Sequence, residues 1–365
     1  MMSVKILILT DDKNFFATKL VDIELVGKRR TIGGTMDISR IRDYFLEHGA
    51  EVLVSSYSRL DYTQDYSGWF VVYASSEARG QFEKSFMEDT LLYLQTSGAY
   101  LIPDFKYFRA HENKVFQELL RTRFRAPSLK HPASRVYQDY HELRDEFPYP
   151  VIVKSASGSG STGVQKADDF QELVQKAKSL NWILYFDSSF PHATLKNYVV
   201  NFVRKKKHLS AGRGQRTLYA RKFIVQEMIP GLTCDYKVLY FGADGGRYYV
   251  LRRGNRANDF RASGSHLFSF PETTDEIQNV LDLANTARRE LQVPIGSFDI
   301  GMNADGECFL LEFQLLYFGP YTLQRSKWYF THEEETDSWK RVDGESDLEE
   351  VYSESIFNYI LEHGA

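Results

Sequence analysis

Two acidic residues on either side of a turn are the chemically loaded feature of this chain. The segment Ser297-Phe-Asp-Ile-Gly-Met-Asn-Ala-Asp-Gly-Glu-Cys-Phe-Leu-Leu-Glu-Phe-Gln314 contains Asp305-Gly306. That dipeptide suits a two-residue type I′ hairpin turn, which needs φ > 0 at both central positions. With Asn303 and Ala304 approaching the turn and Glu307 and Cys308 leaving it, counting outward sets Asp299 opposite Glu312. Opposed side chains in an antiparallel pair stand roughly 4.5–5.5 Å apart at Cβ. Two bare carboxylates there would repel, so the arrangement wants a cation. Gln314 lies two residues beyond Glu312 and therefore on the same strand face. An all-oxygen set of two carboxylates and an amide suits Mg²⁺, with no His or Cys to favour zinc. An ordinary hairpin with acids on its wet face would carry the same residues.

Two further groups could handle anions. Asp235 and Lys237 share a strand face, and the facing strand carries Arg252-Arg253, with the register left open by one residue at Gly245-Gly246. Gly254-Asn-Arg-Ala-Asn-Asp-Phe-Arg-Ala-Ser-Gly264 follows. Cations concentrated beside a carboxylate hairpin suit a phosphate held between cations and metal, although a basic surface hairpin would look alike. Upstream, Pro150-Val-Ile-Val-Lys-Ser-Ala-Ser-Gly-Ser-Gly-Ser-Thr-Gly-Val164 reads as a strand, a lysine and a Gly/Ser loop. Small residues such as Ser157, Gly158, Ser159, Gly160 and Gly163 let backbone N–H groups approach phosphate oxygens, with Lys154 as the point charge. No Gly-Lys-Ser/Thr follows, so this is not a Walker loop, and its layout is not that of a dinucleotide fingerprint. Lys114 and the extended stretch Gln226-Glu-Met-Ile229 add to the picture. The latter could offer backbone groups to an adenine edge while a nearby acid takes ribose hydroxyls.

The elements that must position these groups alternate in type. In the first third, strands are expected at Val4–Leu9, Glu51–Ser55, Gly68–Tyr73 and Tyr100–Ile102, and helices at Asp37–His48 and Glu83–Thr96. That alternation implies an α/β unit with a mostly parallel sheet. A second unit is expected from 109 to 229, with helices at Glu112–Arg121 and Asp168–Ser179 and strands at Val151–Lys154, Trp182–Phe186 and Phe223–Met228. The third, 230 to 365, opens with a hairpin, then carries a helix at Thr274–Leu291, the carboxylate hairpin, an acidic surface loop at Glu333–Glu350 and a final helix from Leu348. The basic run Arg204-Lys-Lys-Lys207 suits a solvated loop or a lid over anions.

Composition sets outer bounds. The 365 residues exceed one compact core, and hydrophobic and charged contents of 43% and 26% are ordinary for a globular protein. A net charge of −4 gives no global field for nucleic acid. Two cysteines make no disulfide framework, and no run is long and apolar enough to span a membrane. The expectation is a cytoplasmic protein.

From about Lys114 to Gln314 these motifs, in this order and spacing, resemble the ATP-grasp superfamily. Leu251-Arg-Arg-Gly-Asn-Arg-Ala-Asn-Asp-Phe-Arg-Ala-Ser-Gly264 is similar to the arginine motif of its RimK-like peptide ligases, and Asp235-Tyr-Lys237 to their Asp-x-Arg element. The resemblance implies that residues 1–108 form the N-terminal domain and that two α+β lobes, 109–229 and 230–365, clamp ATP. It implies that Lys114 and Lys154 bind phosphates under the Ser157–Gly163 loop, that the backbone of Glu227, Met228 and Ile229 beside Gln226 holds adenine, and that Asp235 approaches the ribose. Asp299 and Glu312 would bind Mg²⁺ or Mn²⁺, with Gln314 where the family usually has asparagine. Arg261 would hold an acyl phosphate and oxyanion, with Arg253 and Lys237 on phosphate or substrate carboxylate. The implied activity is an ADP-forming carboxylate–amine ligase acting on a small-molecule or peptide acid and an amine, with a homodimer among the assemblies it allows. A phosphotransferase on the same scaffold and a non-catalytic ATP-binding module are the alternatives.

Overall fold

The computed structural model describes residues 4–25, 28–75, 81–158, 163–184, 199–200, 203, 218–242, 245–256, 262, 267–316 and 319–363. The chain divides into two compact units. One comprises Met1–His111, Arg123–His131 and Gly231–Ala365, the other Glu112–Thr122 and Pro132–Pro230.

The chain opens with β1 (Lys5–Thr10), a ribbon of β2 (Thr18–Leu25) and β3 (Lys28–Thr35), α1 (Ile38–Glu47), β4 (Glu51–Ser56), β5 (Phe70–Tyr73), α2 (Gln81–Thr96), β6 (Tyr100–Ile102) and α3 (Phe105–Ala110). The sheet order is β4-β1-β5-β6, all parallel. The unbroken apolar runs Ile6–Leu9 and Phe70–Tyr73 are what a parallel sheet covered on both faces requires. Asp37 caps α1 by accepting from the N–H groups of Ser39 and Arg40. The β2–β3 ribbon was not expected, because β3 is exposed along nearly its whole length and shows no apolar alternation.

The second unit contains α4 (Lys114–Arg121), β7 (Ser134–Tyr137), β8 (Val151–Ser155), β9 (Val164–Ala167), α5 (Phe170–Asn181), β10 (Trp182–Leu184), β11 (Leu218–Ala220) and β12 (Phe223–Glu227). Its antiparallel sheet runs β7-β12-β8-β9. On one face Val151, Val153, Phe223 and Val225 pack under Leu173 and Ala177 of α5.

The first unit then resumes with β13 (Leu232–Phe241), β14 (Arg247–Gly254), β15 (Phe268–Ser269), α6 (Gln278–Leu291), β16 (Ile295–Asn303), β17 (Cys308–Gln314), α7 (Tyr321–Arg325), β18 (Trp328–Glu333), β19 (Ser338–Asp343) and α8 (Leu348–His363). The antiparallel order is β17-β16-β13-β14-β18-β19, with β15 on β14. Val280, Ala284, Ala287 and Leu291 form the buried stripe of α6, at the spacing of one helical face. Above it, Tyr248 donates to Asn285 and Tyr240 lies under Arg288. The opposite sheet face presents Leu239, Phe241 and Tyr249 to a core shared with Ile6–Leu9, Val71 and Tyr352. Both sheets of this unit therefore share one hydrophobic core.

The acidic surface loop expected at Glu333–Glu350 is instead partly strand. β19 pairs with β18 through a turn that takes up the acids, and Trp339 anchors it edge-on against Tyr248 and His332. Acidity marks the turn, while the alternating Trp339 and Lys340 make the strand.

Candidate active site

The turn between the two carboxylates is not the expected two-residue type. Asn303 accepts from Gly306 N–H and its own N–H donates to Glu307, so three residues, Ala304–Gly306, make the loop. The Asn303 side chain explains the difference: its Oδ1 accepts from the N–H groups of Asp305 and Glu307 at 3.1 and 2.8 Å. Only Gly306, with φ of 77°, is left-handed, and Asp305 is not. This is the three-residue hairpin with glycine at the left-handed position. It shifts the register by one, so Met302 pairs with Cys308 and Ile300 with Leu310. A bulge at Leu311 then restores it, and Asp299 pairs with Glu312. The expected opposition is present, reached through two irregularities that cancel.

Around Asp299 the sheet gathers opposite charges. β13 sets Lys237 beside Asp299, and β14 sets Arg253 beside Asp235. Lys237 Nζ lies 3.3 Å from Asp299 Oδ1 and donates to Ser297 Oγ at 2.8 Å. Arg253 lies 3.0 Å from Asp299 Oδ2 and donates through Nε to Asp235. Arg253 is 5% and Asp235 9% exposed, so these groups meet with little water between them. Burial pushes the Asp235 carboxyl up to about 6, and Asp299 adds to the rise while Arg253 opposes it. Burial also works against the charged form of Asp299, but Arg253 and Lys237 together hold that carboxyl well below the usual range. For Arg253, burial disfavours the cation, and the two aspartates more than offset it.

The fourth strand supplies the oxygen donors. Gln314 pairs with Ser297 across β16, and its Nε2 donates to Glu312 Oε1 at 2.7 Å. Its Oε1 is buried and has no hydrogen-bond partner. A buried unpartnered amide oxygen is costly, on the order of 1–3 kcal/mol, and it lies on the face that carries Asp299 and Glu312. Among the described residues no group of three or more His, Cys, Asp or Glu side chains is placed to hold a metal. The possible donor set is therefore two carboxylates and this orphaned oxygen, which fits a hard cation such as Mg²⁺.

In the second unit, Lys154 Nζ donates to Gln226 Oε1 at 2.5 Å. Lys114 Nζ donates to Gly158 O at 2.8 Å, placing its ammonium at the start of the Gly/Ser loop. Ser155 closes the stem of that loop, with its N–H on Gly163 O and its Oγ on Ser157 O. Gln226 and Ile229 are buried, Met228 is half-buried, and Glu227 is exposed with its N–H committed to Ala133 O. Ser159, Gly160, Arg261 and the basic run at 204–207 lie outside the described residues.

Sequence reasoning missed two participants, Ser297 and Gly319, and one partnership. Ser297 could have been found, since it sits two residues before Asp299 on the same face. Gln226 was expected near the adenine stretch, but its side chain as the acceptor for Lys154, across from the neighbouring strand, was not. Gly319 sits so close to Lys237 that a Cβ there would stand 3.1 Å from its Cε, a contact with no local signature.

No family model and no curated protein matches the chain. Among solved structures, the D-cycloserine synthetase DcsG is similar at 15% identity, over 96% of this chain and 98% of that one, with a TM-score of 0.48. The ADP complex of PurK, an N5-carboxyaminoimidazole ribonucleotide synthetase, matches at 13%, over 90% and 75%, with a TM-score of 0.49. D-alanine–D-alanine ligase from Bacillus anthracis matches at 11%, over 99% and 97%, with a TM-score of 0.44. At these identities and TM-scores the side chains of the site, not the likenesses, decide what the chain can do.

Proposed function

We propose that the chain is an ATP-grasp enzyme, an ADP-forming ligase that joins a carboxylate to an amine. The observation that carries this reading is the register of four strands. It gathers Asp299, Glu312 and the orphaned Gln314 oxygen on one face, beside Arg253 and Lys237. A site that builds a divalent-cation cradle against two fixed cations is suited to phosphoryl and acyl-phosphate chemistry, where negative charge moves between oxygens.

Asp299, Glu312 and Gln314 would hold Mg²⁺, which when bound would offset charge on nucleotide phosphate oxygens. Arg253 would orient the phosphoryl oxygens and the substrate carboxylate, kept in place from beneath by Asp235. That partnership leaves Asp235 as a positioning residue for Arg253. Lys237, aimed by Ser297, would neutralise charge on the carbonyl oxygen as the amine adds. Lys154 and Lys114 would bind nucleotide phosphates in the second unit. The acid attacks the γ-phosphoryl group to give an acyl phosphate and ADP, and the amine then displaces phosphate and forms the amide.

Product analysis after incubation with Mg-ATP and pooled acids and amines tests this. ADP and free phosphate appearing only with both pools, together with a new amide mass, is the expected outcome. A phosphorylated acceptor without free phosphate would move the assignment to a phosphotransferase.

A further inference from the structure

In the first unit, strand order turns outward from β1, with β4 on one side and β5 on the other. Ligands of open parallel sheets bind outside the carboxyl ends of strands at such a switch point. Two groups leave this edge. Asp11, after β1, uses its Oδ1 to accept from the N–H groups of Lys13 and Phe15, both at 2.8 Å, and so builds its own loop. Ser75, after β5, bonds through Oγ to Nδ1 of His111. Both are buried, at 5% and 4% exposure. Burial and then the nearby Lys84 push the imidazole down to about 3, so His111 is a neutral partner that fixes the hydroxyl.

Ser75 also lines a cavity of about 20 Å³, with Tyr73, Ile102, Leu315, Leu316 and Ile356 among its walls. No charged side chain lines it. A single water needs roughly 10–15 Å³ of such space, so the room is for one or two non-hydrogen atoms. Ile295, also in its wall, lies two residues before Ser297 on β16 and so on the same strand face, which puts the cavity next to the Ser297 end of the candidate active site.

Resting on the ligase reading above, we propose that this cavity is the subsite for the side group of the carboxylate substrate, and that it selects a small uncharged group of one or two heavy atoms. Aliphatic walls favour a methyl or ethyl group. The Ser75 hydroxyl, oriented by His111, accommodates a hydroxymethyl. A charged or branched group would meet apolar walls with no partner and too little space.

Saturation-transfer NMR on the full chain with Mg-ADP, using propionate, lactate, alanine, serine, valine, leucine and glutamate as probes, tests this apart from turnover. Transfer to the first four and loss of it for the last three is expected. Leu316→Trp should abolish transfer to all while leaving ADP affinity unchanged. Ile356→Ala should extend binding to valine and leucine, which keeps the test informative if the tryptophan variant does not fold. Binding of glutamate or leucine to the parent, of no small acid at all, or an unchanged preference in Ile356→Ala would overturn the proposal. Loss of ADP binding in the parent would instead strike at the ligase reading.

Discussion

Replacing Arg253 with methionine isolates the electrostatics of the site. The side chain is 5% exposed and lies 3.0 Å from Asp299 Oδ2 while donating to Asp235. Methionine keeps length and apolar contact but leaves two buried carboxylates facing Lys237 alone. Removing one partner of a buried ion pair costs about 3–5 kcal/mol. At roughly 2–4 °C per kcal/mol for a unit of this size, the melting midpoint at pH 7.5 should fall by about 6–20 °C. The pH dependence gives the cause. Asp235, raised from 3.8 to about 6 in the folded chain, binds a proton more readily folded than unfolded. Its raised affinity makes the parent more stable as pH falls from about 6 towards 3.8, by about 3 kcal/mol in all. Asp299 runs the other way: its depressed value stabilises above 3.8, and that contribution is lost only as pH falls below it. Without Arg253 both carboxyls move up, so the variant should gain more than the parent between pH 7.5 and 5. The deficit must therefore narrow on acidification. Thermal melts of both proteins at pH 7.5 and 5.0 read this directly. Equal midpoints at pH 7.5, or a deficit of the same size at both pH values, would refute the reasoning.

Gln314→Leu should weaken Mn²⁺ binding, read by electron paramagnetic resonance, by ten-fold or more. The melting midpoint should hold or rise, because a buried unpartnered oxygen worth about 1–3 kcal/mol is removed; an unchanged Mn²⁺ affinity would sink the cation role. Gly319→Ala forces a Cβ to within 3.1 Å of Lys237 Cε at a φ of 61°. The backbone cost is about 1–2 kcal/mol, and turnover should fall much further than that stability loss accounts for; a variant with parental turnover would remove Lys237 from the chemistry. Lys154→Met deletes the ammonium held by Gln226, and a charged hydrogen bond of about 1.5–3 kcal/mol predicts a rise of roughly 10- to 100-fold in the ADP Kd by calorimetry. An unchanged Kd would exclude it from the phosphate site.

The strands that carry the site were legible because their chemistry and their period agree. Asp235 and Lys237, and Glu312 and Gln314, are two apart, so strand alternation alone puts each pair on one face. The opposition of Asp299 and Glu312 was legible only in outcome. Counting from a two-residue turn ignores Asn303, whose side chain captures two N–H groups and lengthens the loop. It also ignores Leu311, whose bulge returns the lost residue. Neither leaves a mark that periodicity can detect. Contacts between distant segments were illegible for a related reason. Ser75 meets His111 across 36 positions, and Gly319 meets Lys237 from another element. Each is decided by how sheets and loops pack. The β2–β3 ribbon escaped because β3 buries almost nothing, and backbone pairing without a buried face gives a sequence no pattern to show.

The charges of the cluster also fix the order in which ligands can be accepted. Among the described residues it holds three carboxylates, Asp235, Asp299 and Glu312, against two basic side chains, Arg253 and Lys237. With all ionised, three minus two leaves a formal charge of −1, so a free nucleotide polyphosphate meets a site of its own sign. A divalent cation reverses that sign and makes the face attractive to phosphate oxygens, and at the short distances of this site the reversal is worth several kcal/mol even at an effective dielectric near 20. ADP should therefore bind weakly in EDTA and at least about ten-fold more tightly with excess Mg²⁺. Asp299→Asn raises the cluster to neutral, and that variant should lose much of the difference by binding ADP better than the parent in EDTA. Calorimetric titration of both proteins with and without Mg²⁺ makes the comparison. A parent that binds ADP equally in EDTA and in Mg²⁺ would show that phosphate recognition rests on the second unit's lysines alone, and that the Asp299 cluster does not take part in it.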